Sequence, residues 1–251
     1  MPTQLTALHG FTETDETWAE VLAPLATGPL ASSLPCQLRC PLMPGHGWRP
    51  CPATTTIASV AAEVAAALPA DGDLLGYSMG GRIALQLALA HPGRVRRLVL
   101  VSCNAGIRDP RERQERQARD AHLADILDQD GIGPFVAWWE NTPALRPAHP
   151  LPRAVEEELR SRRLNQEPHG LADALHCLGT GAMSDLWPRL SGLRLPVLLI
   201  AGQADVHYVT LMREMAGLIP GARLEVVADA GHAVHREQPA RLCALVHDFL
   251  R

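Results

Sequence analysis

The sequence predicts an α/β fold: a mostly parallel sheet of about six or seven strands, flanked by helices, with a helical insertion. Three observations carry this. Short apolar, β-rich segments alternate with stretches of helical periodicity. The apolar segments are continuous rather than alternating, as strands covered on both faces are. Between about Ile107 and Leu193 the alternation stops, and that segment is too long for a loop.

Taken in order, Leu5–Leu8 is a β-rich run that ends at His9-Gly10, and Thr17–Leu25 is helical. A strand at Gln37–Cys40 and a helix at Ile57–Leu68 follow. The apolar DLLGY gives a strand at Leu74–Tyr77, which runs directly into GGRIALQLALA, a helix over Gly80–Ala90. RLVLVSC and PVLLIAG give strands at Arg97–Ser102 and Val197–Ile200, and both are far too short to span a membrane. A helix at Leu211–Leu218, the strand Leu224–Val227 in LEVV and a helix at Pro239–Phe249 complete the chain. Between them, the segment after the fourth strand carries helical periodicity, prolines and Trp138, Trp139 and Trp187, but no strand pattern. The expected organisation is a core of residues 1–106 and 194–251 with a helical cap over 107–193.

Composition excludes several classes. A net charge of −4 without a basic tail or basic amphipathic face argues against a nucleic-acid or membrane partner. MPTQLTALHG lacks the charged and apolar regions of a signal peptide, so a cytoplasmic location is expected. Six cysteines without CxxC pairs or metal-like spacing read as reduced thiols, and no metal is expected. All 23 basic residues are arginine. The arginine-rich run Arg108–Asp120, RDPRERQERQARD, is therefore uninformative by count alone.

Gly76-Tyr77-Ser78-Met79-Gly80 is a G-x-S-x-G turn between a strand and a helix, the setting of a nucleophilic serine. The helix that follows favours negative charge developing there. A serine hydroxyl needs a histidine to take its proton, and the histidine needs a carboxylate to fix its tautomer. His232, after LEVV, and Asp205, just beyond PVLLIAG, both fall at the C-terminal edge of the sheet in the order Ser, acid, His. His235 and Asp229 are their rivals. An oxyanion hole needs two backbone donors. Met79 N–H, after the serine, and Phe11 N–H, after His9-Gly10, are the candidates.

HGF, PGHG, GYSMGG, AGQAD and AGHAVH together resemble the α/β-hydrolase superfamily over the whole chain. The chain opens almost at the HG strand, so the resemblance implies a sheet without the strands that usually precede it. Leu42 stands where family members often carry an acid. Within the insertion, ERQERQARD, PFVAWWENTP, RRLNQEPHGLADAL and LGTGAMSDLW resemble the 2-succinyl-6-hydroxy-2,4-cyclohexadiene-1-carboxylate (SHCHC) synthase family, MenH, of menaquinone biosynthesis. That resemblance implies a lyase that eliminates pyruvate from a succinyl-enolpyruvyl-hydroxycyclohexene-carboxylate precursor. Ser78, His232 and Asp205 would abstract a substrate proton, with no metal or organic cofactor. It implies substrate contacts from Tyr77, Arg82, Arg116, Trp139 and Arg163, the last with Arg160 and Arg162 as neighbours in register. The family's acid loop usually reads D-x-K-F, whereas Asp205 is followed by VHY.

A small-molecule polycarboxylate substrate agrees with arginines under a lid. From the residues alone, Arg82 could equally be an exposed helix residue and Trp139 lid core. Arg113, Arg116 and Arg119 are spaced by three and drift ~60° per step on a helix, so they cannot all face one pocket. Arg116 is the expected contact. The alternative activity is a carboxylic-ester hydrolase with Ser78 as a covalent nucleophile. A catalytically silent binding protein on this fold is the third class.

Overall fold

The computed structural model describes residues 3–26 and 36–251. Residues 1, 2 and 27–35, within the expected core, lie outside the described residues. In chain order the elements are β1 (Thr3–Leu8), α1 (Glu16–Val21), α2 (Ala23–Ala26), β2 (Cys36–Arg39), α3 (Ile57–Ala67), β3 (Asp73–Tyr77), α4 (Met79–Ala90) and β4 (Leu98–Val101). Four helices follow before the sheet resumes: α5 (Pro110–Asp130), α6 (Ile132–Glu140), α7 (Arg153–Leu164) and α8 (Pro168–Leu178). The chain then runs through β5 (Val197–Gly202), α9 (Val206–Leu218), β6 (Arg223–Val227), α10 (Val234–Glu237) and α11 (Pro239–Leu250).

Six strands form one sheet in the order β2-β1-β3-β4-β5-β6, and every described pairing is parallel. The central strands β3, β4 and β5 are buried at every residue, whereas the edge strands β2 and β6 are partly exposed. Alternate residues supply the two faces. Leu98 and Leu100 join a cluster with Ile83 of α4 and Met212 of α9, while Val99 and Val101 join one with Trp18 of α1 and Leu242 of α11. That arrangement is why the strands read as unbroken apolar runs.

The chain leaves β1 toward β2, then returns across β1 to form β3. Right-handed crossovers in opposite directions place the connecting helices on opposite faces of the sheet. The connections leaving the C-terminal ends of neighbouring β1 and β3 therefore run in opposite directions, which makes a switch point of the kind where ligand sites of such sheets form.

The expected helix Thr17–Leu25 is split in two at Leu22. Pro24 has no N–H to donate to Glu20 and its ring would crowd that carbonyl. The helix expected from Leu211 starts five residues earlier, at Val206, because Asp205 caps it by accepting from Tyr208 N–H at 3.2 Å. Among α5–α8, a separate apolar cluster joins Leu123 and Leu127 of α5, Phe135 of α6 and Leu171 and Leu175 of α8. No helix among the described residues is long and apolar enough to cross a membrane.

At the opposite, N-terminal edge of the sheet, the buried carboxylate of Asp73 is held by two guanidinium groups. Arg96 and Arg97 each donate two hydrogen bonds to it, at 2.7–3.1 Å. Removing one partner of a buried pair costs about 3–5 kcal/mol, less where the survivors reach water, as half-exposed Arg96 does. Asp73→Ala is expected to lose about 2–3 kcal/mol in urea denaturation while activity per folded molecule stays at the parent level.

Candidate active site

Ser78 follows β3 on a strained turn, with φ 49° and ψ −108°, a region that non-glycine residues seldom occupy. The turn fits because Gly80 lies against the end of β1. A Cβ there would come 2.4 Å from the Leu8 carbonyl oxygen. Gly80 N–H also donates to the His9 carbonyl at 3.1 Å, so the elbow and the turn after β1 are held together.

Asp205, at the end of β5, has two tasks for its two oxygens. Oδ1 caps α9, and Oδ2 lies 2.7 Å from His232 Nδ1. His232 Nε2 is 3.2 Å from Ser78 Oγ. With Nδ1–H donated to the carboxylate, Nε2 is the lone-pair nitrogen that accepts from the serine hydroxyl. The acid and base loops approach closely at Gly202, where a Cβ would come 2.0 Å from the Gly231 carbonyl oxygen. Glu237 fixes the base loop further. Its Oε2 accepts from Gly231 N–H at 2.8 Å and from Ala148 N–H, between α6 and α7, at 2.6 Å.

The rivals are occupied elsewhere. His235 is fully buried and pairs with Glu13, and Asp229 pairs with exposed His149. Phe11 and Met79 both line the cleft, and neither backbone N–H donates to an acceptor among the described residues.

These groups sit in a cleft of about 1190 Å³ between the C-terminal edge of the sheet and the helices of the insertion. Tyr77, Arg82, Arg116 and Trp139 line it. Arg82 is buried rather than exposed, with Nη1 donating to the Leu178 carbonyl at 2.8 Å and no ion pair among the described residues. Burial pushes its pKa down to about 10, so it remains a cation at neutral pH. Such a charge in a cleft calls for an anion. Arg116 lies 2.8 Å, through Nε, from buried Asp120, which leaves its Nη groups available. In RDPRERQERQARD, Arg108, Arg116 and Arg119 reach the cleft and Arg111 and Arg113 do not.

Arg163 is a correction. It does not line the cleft, and its Nη1 is 3.2 Å from Glu140 Oε1 at the end of α6. Arg160 pairs with the same carboxylate and Arg162 with Glu20 and Glu158, so all three arginines of that register are engaged by carboxylates. Among the lining residues outside the expected set are His207 and Tyr208, which follow the catalytic acid. The Tyr208 ring centroid is 4.6 Å from that of His232. The VHY departure in the acid loop was the signal that could have found them.

Two buried histidines hold the turn after β1. Met43 N–H donates to His9 Nε2 at 2.9 Å, and Thr12 N–H donates to His46 Nε2 at 3.2 Å. Burial holds both imidazoles below their ordinary pKa, His46 down to about 3, with neighbouring His9 adding to the effect on His46.

The sequence profile of the alpha/beta hydrolase family matches residues 7–245. A Bacillus subtilis (strain 168) protein provisionally named 2-succinyl-6-hydroxy-2,4-cyclohexadiene-1-carboxylate synthase is 37% identical over 97% of this chain and 88% of its own. The synthase so named from Pectobacterium atrosepticum is 30% identical over 98% of this chain and 93% of its own. The structure titled MenH from S. aureus superposes with a TM-score of 0.92 at 31% identity, covering 99% of this chain and 93% of that one.

An unfolded chain protonates His46 as pH falls through about 6.5, but the fold does not until about 3. Stability present above pH 6.5 is therefore lost as pH falls, by up to about 1.4 kcal/mol per unit for each such imidazole. His46→Gln, which can keep an acceptor for Thr12 N–H, is expected to show a shallower loss between pH 6.5 and 5 in urea denaturation.

Proposed function

The chain belongs to the alpha/beta hydrolase family, and from that premise we propose that it is a carbon–oxygen lyase, an SHCHC synthase of menaquinone biosynthesis. Relatives that match nearly the whole chain carry that name. The observation that carries the reading to the chemistry is buried Arg82, without an ion pair among the described residues, in the same cleft as a connected Ser78–His232–Asp205 relay.

The precursor carries several carboxylates and an enolpyruvyl ether. Arg82 and Arg116 hold carboxylates by charge-assisted hydrogen bonds, and Tyr77 and Trp139 supply apolar walls. Ser78 Oγ removes a ring proton made acidic by a neighbouring carbonyl and passes its own proton to His232, whose imidazolium Asp205 stabilises. Charge develops on the carbonyl oxygen, where Phe11 and Met79 N–H receive it. Collapse of the enolate places a second double bond in the cyclohexene ring and expels the enolpyruvyl oxygen as its C–O bond breaks. The enolpyruvate released takes up a proton to become pyruvate. No acyl-enzyme forms. The helices over 107–193 act as the cap that keeps water from the enolate. A cytoplasmic location completes the reading, supported by six cysteines that all stand as free thiols.

The test incubates the parent protein, Ser78→Ala and Arg116→Ala with enzymatically generated precursor and follows SHCHC and pyruvate. Ser78→Ala should lose about 10³-fold or more in kcat, and Arg116→Ala about 10- to 100-fold in kcat/KM. A parent no faster than spontaneous elimination would refute the lyase. Burst kinetics and robust turnover of short-chain aryl esters, lost in Ser78→Ala, would instead identify an ester hydrolase.

A further inference from the structure

Next to the Ser78–His232–Asp205 relay, and touching none of its reacting atoms, lies a second histidine–carboxylate pair. Glu13 Oε1 is 2.7 Å from Nε2 of His235, whose side chain is wholly buried. The chain around Glu13 turns tightly. Glu13 N–H donates to the Gly10 carbonyl at 3.3 Å, and Gly10 N–H donates back to Glu13 Oε2 at 3.4 Å. Phe11 and Thr12 are the central residues of this turn, and Thr12 has φ 66°.

The amides of the turn account for themselves one by one. Gly10 N–H goes to the Glu13 carboxylate, Thr12 N–H to His46 and Glu13 N–H to Gly10. Phe11 N–H alone has no acceptor among the described residues, and Phe11 lines the cleft. Phe11 is half-buried at the wall of the cleft, where an amide without a protein acceptor is a donor available to charge that appears beside it.

The other partner reaches the remaining parts of the site. His235 is three residues beyond His232, and its ring centroid is 4.3 Å from that of Tyr77, which precedes the serine. Its Nδ1 is buried without a hydrogen-bond partner. A proton on Nδ1 would be stranded, so the single imidazole proton sits on Nε2 and is donated to Glu13. Burial, opposed by Glu13, keeps the ring in that neutral form. The charged and titratable groups facing the pair are Arg236, with Nε 3.7 Å from Glu13, together with Tyr77, His9 and His232.

We propose that Glu13 and His235 are positioning residues for the oxyanion hole, clamping the Gly10–Glu13 turn so that Phe11 N–H faces Ser78. The proposal rests on the oxyanion role given to Phe11 above. Glu13 closes the turn from both ends, and His235 ties that carboxylate to the loop of the catalytic base. A misdirected Phe11 amide would weaken the transition state without affecting how the arginines hold the ground state.

The test measures precursor turnover and the affinity for phenylboronic acid in the parent, Glu13→Ala, Glu13→Gln and His235→Gln. Phenylboronic acid forms a B–O bond with Ser78 Oγ, sends the serine proton to His232 and places a boronate oxygen in the oxyanion hole. Glu13→Ala should lower kcat and boronate affinity together by about tenfold or more, with KM within about twofold of the parent. The two glutamine variants, each keeping part of the hydrogen bonding, should fall between. Parent-like kcat and boronate affinity in Glu13→Ala would overturn the proposal, as would a change confined to KM or to melting temperature. If Glu13→Ala does not fold, parent-like values in both glutamine variants overturn it equally. A parent that binds the boronate but does not process the precursor would fault the lyase reading, and the boronate series would still decide this one. A parent that binds no boronate overturns the proposal.

Discussion

A parallel sheet brings the C-terminal ends of all its strands to one edge, and everything chemical in this molecule depends on that constraint. Ser78 follows β3, Asp205 follows β5, His232 follows β6 and Phe11 follows β1. None of these residues is near another in sequence, yet none has to reach far. The reversal of strand order between β1 and β3 opens the edge where nucleophile and oxyanion turn must face each other. Close backbone approaches at Gly80 and Gly202 then bring the separate loops within hydrogen-bonding distance.

Electrostatically the site divides its charges by depth. The imidazoles of the supporting shell, His9, His46 and His235, are held neutral by burial, and their ring nitrogens accept backbone amides or meet a carboxylate. They add no net charge behind the nucleophile. Charged groups instead face the cleft, where Arg82, Arg116 and Arg119 stand among the carboxylates of Glu112, Glu115 and Asp120. Arg82 makes no ion pair among the described residues, whereas Asp120 steadies Arg116 without occupying all of its donors. A ligand with separated carboxylates meets charge at its periphery and uncharged dipoles at its reacting carbon.

Much of this was legible in the sequence because the relevant signals are local. Ser78 stands between a strand and a helix that both have clear patterns, and the buried strands β3, β4 and β5 show as unbroken apolar runs. What escaped is non-local or masked by another role. The start of α9 was hidden because Asp205 is both helix cap and candidate catalytic acid, and exposed Val206 gives no periodic cue. Arg163 could not be excluded from the cleft by spacing, since its capture by Glu140 joins two helices 23 positions apart. The first half of α5 is mostly exposed and polar, so its contact with the cleft is set by where the helix packs through Leu123 and Leu127. The pairing of Glu13 with His235 spans 222 positions and leaves no trace in composition.

Glu237 gives the site a mechanical property. One carboxylate oxygen accepts from Gly231, beside the catalytic base, and from Ala148, in the segment between α6 and α7. The two donors come from parts of the chain 83 positions apart, and they share a single point of attachment. Any displacement of the Ala148 segment loads the same oxygen that steadies the His232 loop. The segment between α6 and α7 and the loop of the proton acceptor are therefore tied to one carboxylate oxygen, so that neither can shift without straining a hydrogen bond that the other shares.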